Sequence, residues 1–144
     1  MASYEASTIT SADPEAAWRA WTDVAGWPAH DHVESAAIDR EFGVGAQITS
    51  KAAGFPASTL TVTRAERPRL WADESRSPGV RMTFEHVIEK VPEGTRLTER
   101  VRFAGPLGLL LAPVMRRRLQ AMFAAAVAAV ASDAEAASRP SRDE

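Results

Sequence analysis

The chain has 144 residues and a mass of 15.5 kDa, one domain's worth. Its 45 % hydrophobic and 25 % charged residues exclude wholesale disorder. A net charge of −2 argues against a dedicated nucleic-acid binder, and the lack of cysteine excludes disulfides, thiolate catalysis and Cys-based zinc sites. With no Asn, N-glycosylation is excluded as well. The opening MASYEASTIT has neither the basic nor the apolar region of a signal peptide. Leu107–Val114 and Ala121–Ala131, the most apolar stretches, fall short of the ~20 apolar residues of a membrane span. The expectation is a soluble, cytoplasmic protein. Arg greatly outnumbers Lys and Ala is abundant, the usage of a GC-rich bacterial genome.

In chain order, Tyr4–Ser11 reads as a short strand. Asp13-Pro14-Glu15 starts a helix: an N-cap, a proline at the first helical position and an acid in the first turn. It runs to about Thr22, with Ala17, Trp18 and Trp21 on one face. Asp23 caps a second short helix that contains Trp27 and breaks at Pro28. Val33–Arg40 and Ala46–Ala52 form a strand pair around Gly43 and Gly45. Ala57–Glu66 and Leu70–Ser75 are further strands, separated by Arg67-Pro68. Val80–Val91 and Thr95–Ala104 are long strands around Pro92-Glu93-Gly94, a hairpin signature. From Leu107 to about Ala137 the chain is helical, with Pro113 expected to start or kink the main helix. Met115, Leu119, Met122, Ala126 and Val130 share one face of it. Ser138–Glu144 reads as a polar, frayed tail, so residues 1–137 form the single domain. Strands bracketed by helices argue α+β with an antiparallel sheet. One amphipathic helix cannot cover a strongly curved sheet, and the gap is a natural ligand cavity.

Asp13-Pro14-Glu15 with Trp18, then Asp23-Val24 with Trp27-Pro28, resembles the START-like (SRPBCC) superfamily. So does Gly94-Thr95-Arg96-Leu97-Thr98 leading to Gly105-Pro106 and a long C-terminal helix. More narrowly, the chain is similar to the polyketide cyclase/dehydrase and lipid-transport-type branch, over about Ser7 to Ala137. The resemblance implies a helix-grip fold, a seven-stranded antiparallel sheet wrapped around the last helix and enclosing a hydrophobic pocket. It implies no single reaction, because members include carriers, cyclases, hydrolases and chaperone activators.

Side chains alternate across a strand, so parity sorts the pocket wall. Leu60, Val62 and Arg64 share the inner face of their strand. Met82, Phe84, His86 and Ile88 share that of the next long strand, and Leu97, Glu99, Val101 and Phe103 that of the last. A two-residue turn at Glu93-Gly94 pairs Phe84 with Phe103, His86 with Val101 and Ile88 with Glu99, which makes His86 and Glu99 diagonal neighbours. Trp27 is placed at the core or the pocket rim. Met115, Leu119 and Met122 supply the helical wall.

Arg64, His86 and Glu99 thus become three polar groups among apolar inward positions. In one reading Arg64 anchors a ligand carbonyl or carboxylate and His86 with Glu99 forms an acid/base pair. In the other the three satisfy one another as a buried ion cluster, or face solvent at the pocket mouth. By resemblance, Arg64 matches the inward arginine with which aromatase/cyclases hold their substrate. The tryptophan and serine that accompany it there are replaced by Leu60 and Val62, so only the anchoring role carries over.

His30-Asp31-His32 has two imidazoles but no third ligand in reach, so it reads as solvated histidines and no metal is expected. Arg116–Arg118 reads as a solvated helix face, with phosphates or an acidic partner as the alternative. No motif asks for a cofactor. The function expected is binding of a small hydrophobic molecule with a polar group, by a monomer or homodimer that neither inserts in membranes nor binds nucleic acid. The rivals are a cyclase/dehydratase-type enzyme and a protein-interaction module whose pocket would be collapsed.

Overall fold

The computed structural model describes residues 2–138. The tail expected from Ser138 onward lies, past Ser138 itself, outside the described residues. Strand β1 (Ala2–Thr10) is followed by helix α1 (Pro14–Thr22) and a 3-10 helix, Val24–Ala29. Six strands come next: β2 (Val33–Ile38), β3 (Gln47–Ala52), β4 (Ser58–Glu66), β5 (Leu70–Ser77), β6 (Val80–Val91) and β7 (Gly94–Ala104). Helix α2 (Pro106–Ser138) closes the chain. The seven strands form one antiparallel sheet in the order β1-β7-β6-β5-β4-β3-β2, which with α2 is the helix-grip α+β architecture.

Local chemistry sets the element ends. Asp13 Oδ1 accepts the Ala16 backbone N–H at 2.8 Å and Pro14 occupies the first turn of α1. The 3-10 helix continues past Pro28 to Ala29, because a short 3-10 segment has few bonds for a proline to remove. α2 begins at Pro106 and runs through Pro113 without ending. By length and composition it could cross a membrane, but here it is the helix the sheet grips. Its Leu119, Phe123, Val127 and Val130 are buried in the core.

The β6–β7 hairpin differs from the expected register by two residues. Val91 pairs with Gly94, so the turn residues are Pro92 and Glu93. Proline's fixed φ suits the first central position of a turn. Gly94 has φ 143°, and a Cβ there would collide with the Thr10 carbonyl oxygen. Phe84 therefore lies across from Val101, not Phe103, and Met82 faces Phe103. A slip of two keeps every side chain on its expected face. It also places His86 directly opposite Glu99.

Beside a small cluster of Ala12, Ala16 and Ala134, two large apolar clusters fill the interior. Trp18, Trp21, Ile48, Val62, Trp71, Ile88, Leu97, Val127 and Val130 belong to one, and Val101, Phe103, Ala112, Leu119 and Phe123 to the other. β1 is tied to both neighbours: Thr10 Oγ1 donates to Glu135 of α2 at 2.6 Å, and Thr95 Oγ1 donates to the Ala12 carbonyl at 2.7 Å. Leu119 is 1 % exposed, whereas Arg117 and Arg118 on the same helix are exposed. Leu119→Ala is expected to lower stability by about 2–5 kcal/mol, and Arg117→Ala by no more than about 0.5 kcal/mol. Urea unfolding of the two variants checks this; equal midpoints would refute the helix register.

Candidate functional site

Between α2 and the inner face of the sheet lies a cavity of about 260 Å³. Members of both clusters wall it, Trp21 and Val130 from the first and Leu119 from the second. Trp27, Val33, Ala52, Phe55, Leu60, Met82, Phe84, Met115, Met122 and Ala126 add to the apolar lining. Pro56 and Ser58, on the β3–β4 connection and the start of β4, also line it and are solvent-exposed, so the cavity opens on that side.

Three ionisable side chains on adjacent central strands meet the cavity: Asp73 of β5, His86 of β6 and Glu99 of β7. All three are buried, at 3 %, 4 % and 9 % exposure. His86 Nε2 is 3.0 Å from Glu99 Oε1, and its Nδ1 is 3.2 Å from the Trp71 carbonyl oxygen. With a carbonyl on one nitrogen and a carboxylate on the other, the ring donates on both sides when protonated. Its plane lies 4° from that of Trp71, centroids 3.5 Å apart, and Trp21 packs edge-on at 5.2 Å. Glu99 Oε2 and Trp71 Nε1 are buried without a hydrogen-bond partner.

The electrostatics follow from burial among few neighbours. Burial pushes the Asp73 carboxyl up to about 7; the nearby His86 charge draws it down and Glu99 adds to the rise. Burial works against a charged His86, but the Glu99 hydrogen bond, the Glu99 charge and Asp73 outweigh it, so the net shift is upward. His32, half-buried in the cavity wall, is held below the ordinary histidine value, chiefly by burial, with Glu99 opposing. Asp73 and His86 thus both gain proton affinity inside a mostly apolar space.

Several expected site residues sit elsewhere. Arg64 is not inward. A bulge between Val62 and Arg64 inserts one residue, so that Val62 pairs with Asp73, Arg64 with Ala72 and Ala65 with Trp71. The extra residue reverses parity, and Ala65 takes the inner position. The Arg64 guanidinium is half-exposed on the outer face and donates to Glu66 at 2.6 Å. Its expected role as a ligand anchor is therefore withdrawn. Val62, Val101 and Phe103 do point inward, but they are fully buried in the packed clusters and do not line the cavity. Parity gives the face of a strand, not whether the helix covers that level of it. Leu60, Phe84, His86, Glu99, Trp27, Met115, Leu119 and Met122 are on the cavity wall as expected.

Asp73 escaped the sequence reading. Its signal is the alternation Trp71, Asp73, Ser75, which puts a carboxylate in phase with an inward tryptophan. The histidine pair is not simply solvated: His30 Nε2 meets Asp133 Oδ2 of α2 at 2.6 Å, His32 stacks on His30, and both line the cavity. Among the described residues no group of three or more metal-ligating side chains, the Asp73–His86–Glu99 cluster included, has the geometry to hold a metal ion.

A family model described as "Polyketide cyclase / dehydrase and lipid transport" matches residues 1–135. The chain belongs to this family. No curated protein matches it. Its fold is shared with the di-domain ARO/CYC protein StfQ of the steffimycin biosynthetic pathway, at 12 % identity and a TM-score of 0.77. That alignment covers 94 % of this chain and 51 % of StfQ, so the chain spans about half of the larger protein. Norcoclaurine synthase of Thalictrum flavum, in a complex with a transition-state analogue, aligns at 12 % identity and a TM-score of 0.76, covering 96 % of both chains. A protein of Thermus thermophilus aligns at 20 % identity and a TM-score of 0.74, covering 96 % of this chain and all of that one. At these identities the likeness establishes the fold. Polyketide cyclase/dehydrase family membership thus accounts for the sheet, the gripping helix and the cavity; the Asp73–His86–Glu99 cluster is read from this chain itself.

The raised proton affinities have a sign. Asp73 and His86 bind protons more tightly folded than unfolded, so their contribution is complete below the unfolded values of 3.8 and 6.5. It fades as pH rises, from roughly 4 to 7 for Asp73 and above 6.5 for His86. Asp73→Asn is therefore expected to gain stability relative to wild type between pH 4 and 7 and to level off above. Denaturant unfolding across that range measures the difference; a pH-independent one would place the carboxyl at its ordinary affinity.

Proposed function

We propose that this protein binds a small hydrophobic molecule with at least one oxygen function, its apolar body in the cavity and its oxygen against Asp73, His86 and Glu99. The observation that carries the reading is the meeting of three buried ionisable groups with one apolar cavity. A cavity of about 260 Å³ suits a molecule of one or two rings. On the cavity wall, the Glu99 carboxylate is an acceptor for a ligand hydroxyl, and a protonated Asp73 is a donor for a ligand carbonyl. The interaction-module reading looked for a collapsed interior; this one is open.

Trp21 and Trp27 line the cavity and Trp71 stacks on His86, so tryptophan fluorescence reports occupancy. Native mass spectrometry of the purified protein for a retained molecule comes first. Titration with aromatic ketones, phenols and fatty acids follows. Asp73→Leu is expected to weaken binding of oxygenated ligands by roughly ten- to hundredfold while sparing pure hydrocarbons. Ala52→Trp, at the partly exposed rim, is expected to block both classes. Equal affinities for wild type and Asp73→Leu across every ligand that binds would make the cluster structural, and no binding from a broad panel would remove the reading.

The same cluster supports a second reading, a cyclase- or dehydratase-type enzyme. The favouring observation is that Asp73 titrates near 7 beside a His86 held by Glu99, a set able to take a proton from one ligand atom and return one to another. His86 and Glu99 keep their proposed proton-handling roles, and Arg64 has none. Deuterium exchange at the carbon next to the carbonyl of a bound aromatic ketone, followed by NMR in heavy water, tests it. Exchange that His86→Gln slows at least tenfold would support catalysis; exchange at the rate of free ketone would leave a binding protein.

A further inference from the structure

The first two turns of α2 present an apolar stripe away from the core. Leu107, Leu110, Leu111 and Val114, at helical spacings of three and four, are 49 %, 71 %, 41 % and 78 % exposed. On the other side of the same turns Gly108 and Ala112 are buried. Scattered exposed leucines need no explanation, but a contiguous stripe of four does. One turn further along, on the same face, come Arg117 and Arg118, both exposed and without an ion-pair partner among the described residues. Arg116 lies to the side, over the Tyr4 ring at 5.8 Å. Positions 106–132 contain no carboxylate at all. The β5–β6 turn abuts the stripe, with the Leu107 N–H donating to the Gly79 carbonyl at 2.9 Å, and contributes exposed Arg81.

We propose that this end of α2 docks on an anionic lipid surface, with Leu107, Leu110, Leu111 and Val114 entering the interface and Arg117 and Arg118 meeting lipid phosphates. Charge decides between occupants. A second copy placed on the stripe would bring arginines where no carboxylate of the stripe answers them, whereas a bilayer supplies apolar depth and phosphate together. Seven residues separate Leu110 from Arg117, ~10 Å along a helix, so the apolar stripe and the two cations form one continuous patch. The contact is peripheral, because the next turns of α2 are committed to the core through Leu119 and Phe123. The stripe also adjoins the cavity: Met115, one turn beyond Leu111, is on its wall.

The test is co-sedimentation with phosphatidylcholine vesicles made with and without phosphatidylglycerol, at low and high salt. Wild type is expected to bind only the anionic vesicles, and less as salt rises. The pair Leu110→Gln with Val114→Gln and the pair Arg117→Gln with Arg118→Gln are each expected to reduce partitioning roughly tenfold or more. All four positions are exposed, so unchanged thermal midpoints should accompany the loss. Three results would overturn the proposal: no binding to anionic vesicles at low salt, binding that survives the leucine-valine pair, or a wild-type dimer that Leu110→Gln dissociates, which would give the stripe to a second copy. None depends on what occupies the cavity, whose ligand titrations stand apart.

Discussion

A sheet of seven antiparallel strands curled around one helix has more inner surface than the helix can cover. That mismatch governs the interior of this protein. Where α2 presses on the sheet, the gap closes into close-packed clusters built on Phe103, Phe123 and Leu119 on one side and on Trp71, Ile88 and Leu97 on the other. Where it does not, a cavity remains, and the strands at its floor carry side chains that a packed core would reject. The 3-10 helix and the β3–β4 connection finish the walls with Trp27 and Phe55.

Burying three ionisable groups side by side is unfavourable unless they share protons and hydrogen bonds. The structure meets that demand in part. His86 is stacked face to face on Trp71 and packed edge-on by Trp21, with a backbone carbonyl at one ring nitrogen and Glu99 at the other. Burial raises the proton affinity of Asp73, which eases the cost of its charge, and the nearby His86 charge and a backbone hydrogen bond oppose that rise. The orphaned Glu99 Oε2 marks the residual demand, on a side chain of the cavity wall. An arrangement kept for stability alone would be easier to build from apolar residues of similar volume.

Much of this was legible in the sequence, and the failures have local causes. The Asp13-Pro14 cap, the Pro92-Glu93-Gly94 turn and the spacing of Met115, Leu119 and Met122 are short-range signals, and the elements they mark are where they were expected. The family resemblance, carried by the order of those signals, is matched by the family model. Arg64 was misplaced because parity holds only along an unbroken ladder, and nothing in Thr61-Val62-Thr63-Arg64 announces the extra residue. The β6–β7 register slipped by two because a three-residue turn signature leaves two ways to choose its central pair; the same-face arithmetic survived because two is the period of a strand. Asp73 was legible by the same rule that found His86. The division between cavity wall and packed core was not, since it depends on how far α2 stands off each strand.

The position of β1 has a consequence for how the protein is made. The first of the seven strands to leave the ribosome sits at one sheet edge and pairs only with β7, Ala2 opposite Phe103 and Thr10 opposite Thr95. Its other anchors lie on α2, and one of them, Thr10 to Glu135, spans 125 residues. During synthesis, therefore, β1 has no sheet partner until β7 emerges, and no helix to close on until α2 is nearly complete. β2 to β7 can pair with chain neighbours as they appear; β1 waits as an unpaired edge. Its outward Ser3, Glu5 and Ser7 keep that strand polar on one side while it waits. Closure of the fold thus follows the other strand pairings and is completed when α2 packs against β1 and β7.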